Sequence, residues 1–416
     1  MQVQGTPKCI SHHQLKSDIQ SYPWLLVSYY KCETPPQNNR VKWIALSLCN
    51  CKNRVVRQVL PKHPKISSTE SRLANPTMAE SAYQCVAMQQ GGPLEVHEAK
   101  PHIPGDDEVL INIKAVALNP IEWKQIDFGI NISKWPCVLG TDGSGTVVAV
   151  GKSVARFTTG DSVLASFSAG QDHSAAFQSR AAVKAVKVAK IPTPMSFEDA
   201  ATLPLSYVTA TGAIYQGLNI PLPYLEGGRE EGFKPSSILV CGGSSSVGGM
   251  AVQLLRLALP KAQILATASK QHHHTVKSFG ADQVFDHSSP SLVEELKKAS
   301  SSGEGVEAIL DAVNGVAVNP SLFEVLTGPK AFAEVITGRN VEKAPDGVKH
   351  SPVFGAAVFG QPGGSNLFAA LERLLAEGKL KLPTAVKVVG HGLESISGGL
   401  KELKAGVSGT KLVVSL

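Results

Sequence analysis

Residues Ser237 to Leu257 read SILVCGGSSSVGGMAVQLLRL, and the centre of this stretch has the chemistry to hold an anion. A short apolar run (Ile238, Leu239, Val240) enters a Gly/Ser turn at Gly242 to Gly249, and an apolar stretch with helical spacing (Met250, Leu254, Leu257) leaves it. That order predicts strand, tight turn and helix. The first N–H groups of a helix lack intrahelical partners and the helix dipole is positive there, so such a turn seats a pyrophosphate. Gly242, Gly243, Gly248 and Gly249 let the backbone bend sharply and approach a ligand. Ser244, Ser245 and Ser246 fill the middle, where the strict GxGxxG fingerprint often carries a glycine. By itself the turn therefore also fits a Ser-rich loop that caps an ordinary α/β helix.

A second group of residues follows at the end of the next expected strand, Gln263 to Ala268: Ser269 and Lys270, with His272, His273 and His274 just behind. An acidic residue about 20 positions past the glycines would bind the ribose 2′-hydroxyl of NAD, and none is present. A hydroxyl, an ammonium and imidazoles suit a 2′-phosphate, which favours NADPH over NADH. Read alone, Lys270 is equally a solvated lysine at a helix start. Three consecutive histidines in a helix point in different directions and do not converge on one metal ion.

The elements that must position these groups fall into two textures. From Met78, short alternating runs punctuated by Gly and Pro read as strands: Glu108 to Val116, Gly145 to Val150 and Asp161 to Ala165. From Phe197, helix and strand alternate: Ser206 to Leu218, the Gly/Ser unit, Gln263 to Ala268, Val276 to Ala281, Gln283 to Asp286, Ser291 to Ala299, Val306 to Asp311 and Lys330 to Thr337. Alternating βα units imply a doubly wound parallel sheet. Ile220 to Pro235, rich in Pro and Gly, reads as a surface insertion. After a helix at Leu367 to Gly378, strands return at Ala385 to Val389 and Lys411 to Ser415, so the β domain is expected to receive the C-terminus and close a cleft.

Composition narrows the classes. The chain has 416 residues and a net charge of +6, but residues 1–77 hold 11 Lys/Arg against 3 Asp/Glu, leaving 29 against 31 in the remainder. A nearly neutral body lacks the clustered basic face that nucleic acid requires. Cys85, Cys137 and Cys241 are scattered, with neither a disulfide framework nor a zinc spacing, which fits a reducing, cytoplasmic setting. No apolar run approaches the roughly 20 residues of a membrane span. Residues 1–77 read as a disordered extension or a start assigned too far upstream, with Met78 the effective beginning; sparse acidic residues also leave a targeting leader open.

Taken together, VALNPIEWK (Val116 to Lys124), LGTDGSGTVVAVGKSV (Leu139 to Val154), GDSV (Gly160 to Val163), AATLPLSYVTATGAIY (Ala200 to Tyr215), FGADQVFDH (Phe279 to His287), GVSGTKLVV (Gly406 to Val414) and the Gly/Ser turn resemble the medium-chain dehydrogenase/reductase superfamily. Within it the chain is similar to the zinc-free enoyl-reductase and quinone-oxidoreductase branch, and to fungal trans-acting enoyl reductases that serve polyketide synthases. The fold this implies is α/β: a GroES-like β domain (79–203, completed by 379–416) plus a Rossmann domain (204–378) with a doubly wound parallel sheet, and a cleft between them. Zinc-dependent members use a Cys in the segment matching Leu118 to Lys124, and a His-Glu pair where this chain has Thr141 and Asp142. Here Asn119 and Pro120 stand in that segment, so no metal is expected.

The resemblance also implies roles. Lys124 and Thr209 are the catalytic candidates, Lys124 as a charge donor to the cofactor and the developing enolate, Thr209 as a hydroxyl donor at the start of a substrate-facing segment (Thr209, Ala210, Thr211, Gly212, Ala213, Ile214, Tyr215 and Gln216). Ile121, Glu122, Trp123 and Lys124 would face the cofactor. Ser244, Ser245, Ser246 and Val247 would donate to its pyrophosphate, and Ser269, Lys270, Gln271 and His272 would meet the 2′-phosphate. His287 would lie beside the adenosine, Ile336 and Thr337 near the nicotinamide, and Ser408 and Lys411 in the C-terminal return. Asn119 is either a cofactor donor or a turn residue before Pro120, and Asp142, Tyr207 and Tyr215 fit structural hydrogen bonds as well. The activity implied is NADPH-dependent reduction of a conjugated double bond in an acyl thioester, with a polyketide synthase as partner. A quinone or alkenal reductase and a non-catalytic dinucleotide-binding protein are the alternatives.

Overall fold

Ile111 and Ile113 are buried while Lys114 is exposed in the computed structural model, which describes residues 82–416. The readings made for residues 1–77 lie outside the described residues. Strands β1 (Ala82–Ala87), β2 (Leu94–Ala99) and, further along, β4 (Cys137–Val138) form a small antiparallel sheet in the order β2-β1-β4. A seven-stranded sheet contains β3 (Glu108–Ala117), β5 (Asp142–Val150), β6 (Ser162–Ser166), β7 (Arg180–Lys184), β8 (Val188–Lys190), β15 (Ala385–His391) and β16 (Thr410–Ser415). The C-terminal strand lies between β15 and β3, antiparallel to β3 with Val413 opposite Ala117. Phe157, Phe167, Phe177, Ile111 and Leu412 fill the core of this part.

Six parallel strands form the other sheet: β9 (Ser237–Cys241), β10 (Gln263–Ala268), β11 (Gln283–Asp286), β12 (Val306–Asp311), β13 (Leu326–Val335) and β14 (Lys349–Val353), in the order β11-β10-β9-β12-β13-β14. Growth to one side ends at β11 and resumes from β9 on the other, so the crevice for a ligand opens outside the carboxyl ends of β9 and β12. Helix Ser246–Ala258 presents Met250, Ala251, Leu254 and Leu255 to the core, where Ile214, Tyr215 and Phe368 also pack.

Two expectations are corrected. The helix expected over Ser206 to Leu218 starts at Pro204 and widens into a π-helical turn at Gly212–Gly217. Ile220 to Pro235 is a surface insertion only in its second half: Glu226, Gly227, Glu230, Glu231 and Lys234 are exposed, while Ile220, Leu222 and Leu225 are buried in the main core. Their apolar spacing carried that signal, which the surrounding Pro and Gly masked.

Candidate active site

At the carboxyl end of β9, Gly242 has φ +80°, and a Cβ there would meet Val313 Cγ1 at 2.4 Å. Only glycine makes that turn without strain. Ser245 caps the following helix, its Oγ accepting from Gly248 N at 3.0 Å. Its hydroxyl oxygen is therefore occupied by the helix itself, while Ser244, Ser246 and Val247 are partly exposed at the same turn. Thr267 Oγ1 accepts from Gly242 N at 3.1 Å and so braces the turn against β10.

Beyond β10, Ser269 Oγ lies 3.2 Å from His287 Nε2. Lys270, with a side chain 83% exposed, sits 3.6 Å from Asp286 at the end of β11. Two hydrogen bonds from Ser288 hold the Asp286 carboxyl below its ordinary range. Lys270, His273, Asp286, Ser289 and Glu295 line a depression of about 410 Å³ here. His272 turns away from it toward the C-terminal return, with Nε2 2.9 Å from Ser408 Oγ and 3.1 Å from Gln271. His273 points elsewhere again, to Ala268 O at 3.2 Å. The histidines diverge, and the structure brings His272 together with Ser408.

Lys124 lies on helix Pro120–Phe128, which follows β3. Its Nζ reaches across to the carbonyl of Thr337 at 2.6 Å, just beyond the end of β13, and stands 5.3 Å from the Trp123 ring centroid. Burial lowers the pKa of this half-buried ammonium. Thr209 keeps 7% of its surface and rests on Gly355, where a Cβ would come within 2.8 Å of its hydroxyl. Gly355 follows β14, so Thr209, Thr337 and Lys124 share the carboxyl edge of the parallel sheet. Ile336 and Phe354 are exposed apolar residues on the same edge.

Several expected contacts are corrected. Thr209, Ala210, Thr211, Gly212, Ala213, Ile214 and Tyr215 are buried, so of the expected substrate segment Gln216 alone is partly exposed, Thr209 keeping a small surface. The reason is that Ala210, Ala213, Ile214 and Tyr215 pack into the main core; Tyr215 directs its hydroxyl to Pro362 O at 3.0 Å and accepts from Arg229 N at 2.6 Å. Glu122 exposes no surface: its carboxylate accepts from Asn119 N (2.6 Å), Thr141 N (3.1 Å) and Thr141 Oγ1 (2.7 Å), completing a capping box. Lys411 is likewise buried, bonded to Asn119 Oδ1 and 3.3 Å from Asp142. Neither charge is offered to the cleft.

Asp142 Oδ1 accepts from Leu205 N at 2.7 Å, in the first turn of the helix that carries Thr209, while Oδ2 accepts from Asn119 at 3.0 Å at the cap of the helix that carries Lys124. One buried network thus orients both candidates. Burial raises the Asp142 carboxyl, against the pull of Lys411. It pushes Glu122 up to about 7.

Among the described residues, the cluster around Asn119 and Asp142 does not fit zinc. The Lys411 ammonium bonds Asn119 and Asp142, a position where a second cation would be repelled. Burial pushes the thiols of Cys85 and Cys137 up to about 12 and 11 and raises that of Cys241. Among the described residues no group of three or more His, Cys, Asp or Glu is arranged to hold a metal ion.

Sequence reasoning passed over Asp311, Glu334 and His350. Asp311, buried at the end of β12, accepts from the N–H groups of Val313, Gly315 and Val316 at 2.8 to 3.0 Å. The available signal was an acidic residue closing the apolar run Ala308, Ile309 and Leu310.

A Gly/Ser turn at the switch point of a parallel sheet, facing a β domain completed by the C-terminal strand, defines a two-part dinucleotide-dependent oxidoreductase. Residues 105–193 match the alcohol dehydrogenase GroES-like domain, and residues 246–327 the zinc-binding dehydrogenase domain. The chain is 31% identical to dehydrogenase orsE of Emericella nidulans, over 78% of this chain and 97% of that one. It is 31% identical to trans-enoyl reductase tndF of Aspergillus flavipes, over 82% and 100%. The solved structure of CurK enoyl reductase superposes with a TM-score of 0.64 at 26% identity, covering 81% of this chain and 99% of that one. The chain belongs to the medium-chain dehydrogenase/reductase family and resembles its trans-enoyl reductases.

Proposed function

We propose that this protein is an NADPH-dependent enoyl reductase that reduces the α,β double bond of an unsaturated acyl thioester, acting in trans beside a polyketide synthase and without zinc. The observation that carries this reading is the Lys124 ammonium, half-buried and 2.6 Å from the Thr337 carbonyl on the edge where Thr209 also stands. Relatives named trans-enoyl reductases support the substrate class.

NADPH, when bound, supplies hydride to the carbon β to the thioester carbonyl. A proton taken up from the medium completes the reduction at the α-carbon, and the chain's own groups bind, orient and stabilise the developing charge. Ser244, Ser246, Val247 and the free N–H groups of the turn bind the pyrophosphate. Ser269 and Lys270 would meet the 2′-phosphate, while His272 is turned from Lys270 to Ser408. Lys124 and Thr209 offer donors where negative charge develops on the thioester oxygen, in a site whose low polarity strengthens them. Ile336 and Phe354 exclude water from the acyl chain.

The test is NADPH oxidation by the full chain with a short α,β-unsaturated acyl thioester, a quinone and no acceptor side by side. Turnover on the thioester is expected. Turnover on quinone alone replaces the reading with a stand-alone quinone reductase, and NADPH binding without turnover replaces it with a dinucleotide-binding protein. Lys270→Ala should raise KM for NADPH roughly tenfold and leave KM for NADH within about twofold; equal effects on both cofactors would remove the 2′-phosphate assignment.

A further inference from the structure

Glu334 lies on β13, between β12 and β14, in a run otherwise apolar (Ala331, Phe332, Ala333, Val335), and exposes no surface. A buried carboxylate is tolerated where its lone pairs are filled. Here Val341 N donates to both oxygens at 2.9 and 3.2 Å, Asn314 Nδ2 donates at 3.4 Å, and His350 Nε2 lies 3.1 Å from Oε2. His350 sits on β14 with its ring stacked 4.8 Å from that of Phe332, and Asn314 follows β12. Three separate segments therefore meet on one side chain.

The segment brought by Val341 is the loop that starts at Ile336. It is closed by Asn340, whose Oδ1 accepts from Thr337 N (3.1 Å) and Gly338 N (3.2 Å) while Nδ2 donates to Val335 O (3.1 Å). Thr337 is the residue whose carbonyl holds Lys124. We propose that Glu334 is a positioning residue for the reaction: by anchoring Val341 it fixes the Thr337 carbonyl, and through it the place where the Lys124 ammonium is held. Val341 N contacts both carboxylate oxygens, so an isosteric amide in either orientation would set its N–H₂ against that N–H and loosen the loop. The inference rests on the assignment of Lys124 to the reaction.

A double-mutant cycle on the full chain tests it, with wild type, Glu334→Gln, Lys124→Ala and the double variant assayed on the unsaturated thioester. Lys124→Ala is expected to lower kcat roughly tenfold. Glu334→Gln should lower kcat about fivefold with KM for NADPH changed less than about twofold, and should add less than about twofold on top of Lys124→Ala, because groups acting through one contact are not additive. Additive losses, or a kinetically silent Glu334→Gln, overturn the proposal while leaving Lys124 in place. A silent Lys124→Ala, or a wild type that does not reduce the thioester, overturns both it and the reading beneath it. If Glu334→Gln fails to fold in a thermal melt, Asn340→Ala, which opens the same loop without stranding a buried carboxylate, takes its place in the cycle under the same outcomes.

Discussion

Glu122 shows how a single side chain serves the site without touching a ligand. Its carboxylate joins the cap of the Lys124 helix to Thr141, and burial moves its pKa from 4.5 to about 7. Between those values the folded chain keeps a proton that the unfolded chain has lost. Stability contributed by this group is therefore full below about 4.5, falls as pH rises, and levels off above about 7. The slope at its steepest is on the order of 1.4 kcal/mol per pH unit. Denaturant melts of wild type and Glu122→Gln at pH 5 and pH 8 check this: the gap between the two should narrow toward pH 8, and a constant gap would mean the carboxyl does not titrate in that window.

At the scale of elements, the turn-and-helix unit after β9 depends on its cap. Ser245 satisfies Gly248 N, one of the otherwise unpaired donors of helix Ser246–Ala258. Ser245→Ala should cost about 1 kcal/mol, read as a shift in denaturation midpoint. A loss below a few tenths would mean water replaces the hydroxyl. The neighbouring π-helical turn is fixed differently. Arg229 stands 4.1 Å over the Tyr215 ring and donates to Tyr215 O at 2.9 Å, so the segment from Ile220 onward braces the π-helical turn that follows the helix carrying Thr209. A π-helical turn has weaker internal geometry than an α-helix and often marks a functional segment. Here it lets Gly217 lie against Ala333 and Val353 of the parallel sheet.

For the whole molecule, the decisive step is the return of the C-terminal strand. β16 fills the position between β15 and β3, burying Leu412, Val413 and Val414, and delivers Lys411 to Asp142 and Ser408 to His272. Leu412→Ala should cost about 2–5 kcal/mol in denaturant unfolding, because neighbours from two strands cannot collapse into the space. A cost under about 1 kcal/mol would show that β16 adds little to the sheet.

Local chemistry made much of this legible in the residues alone. Strands β10, β11 and β12 stand at the residues their apolar runs mark, and the Gly/Ser turn is strand, turn and helix, because φ preferences and apolar periodicity act over a few neighbours. The charge and hydroxyl groups behind β10 could be named for the same reason. Which of the named side chains face the cleft was decided by tertiary structure. Glu122, Lys411 and Tyr215 are ordinary polar residues until Thr141, Asp142, Arg229 and Pro362, distant in sequence, supply their partners and shut out water. Burial and hydrogen-bond satisfaction depend on what packs opposite, which no local pattern carries.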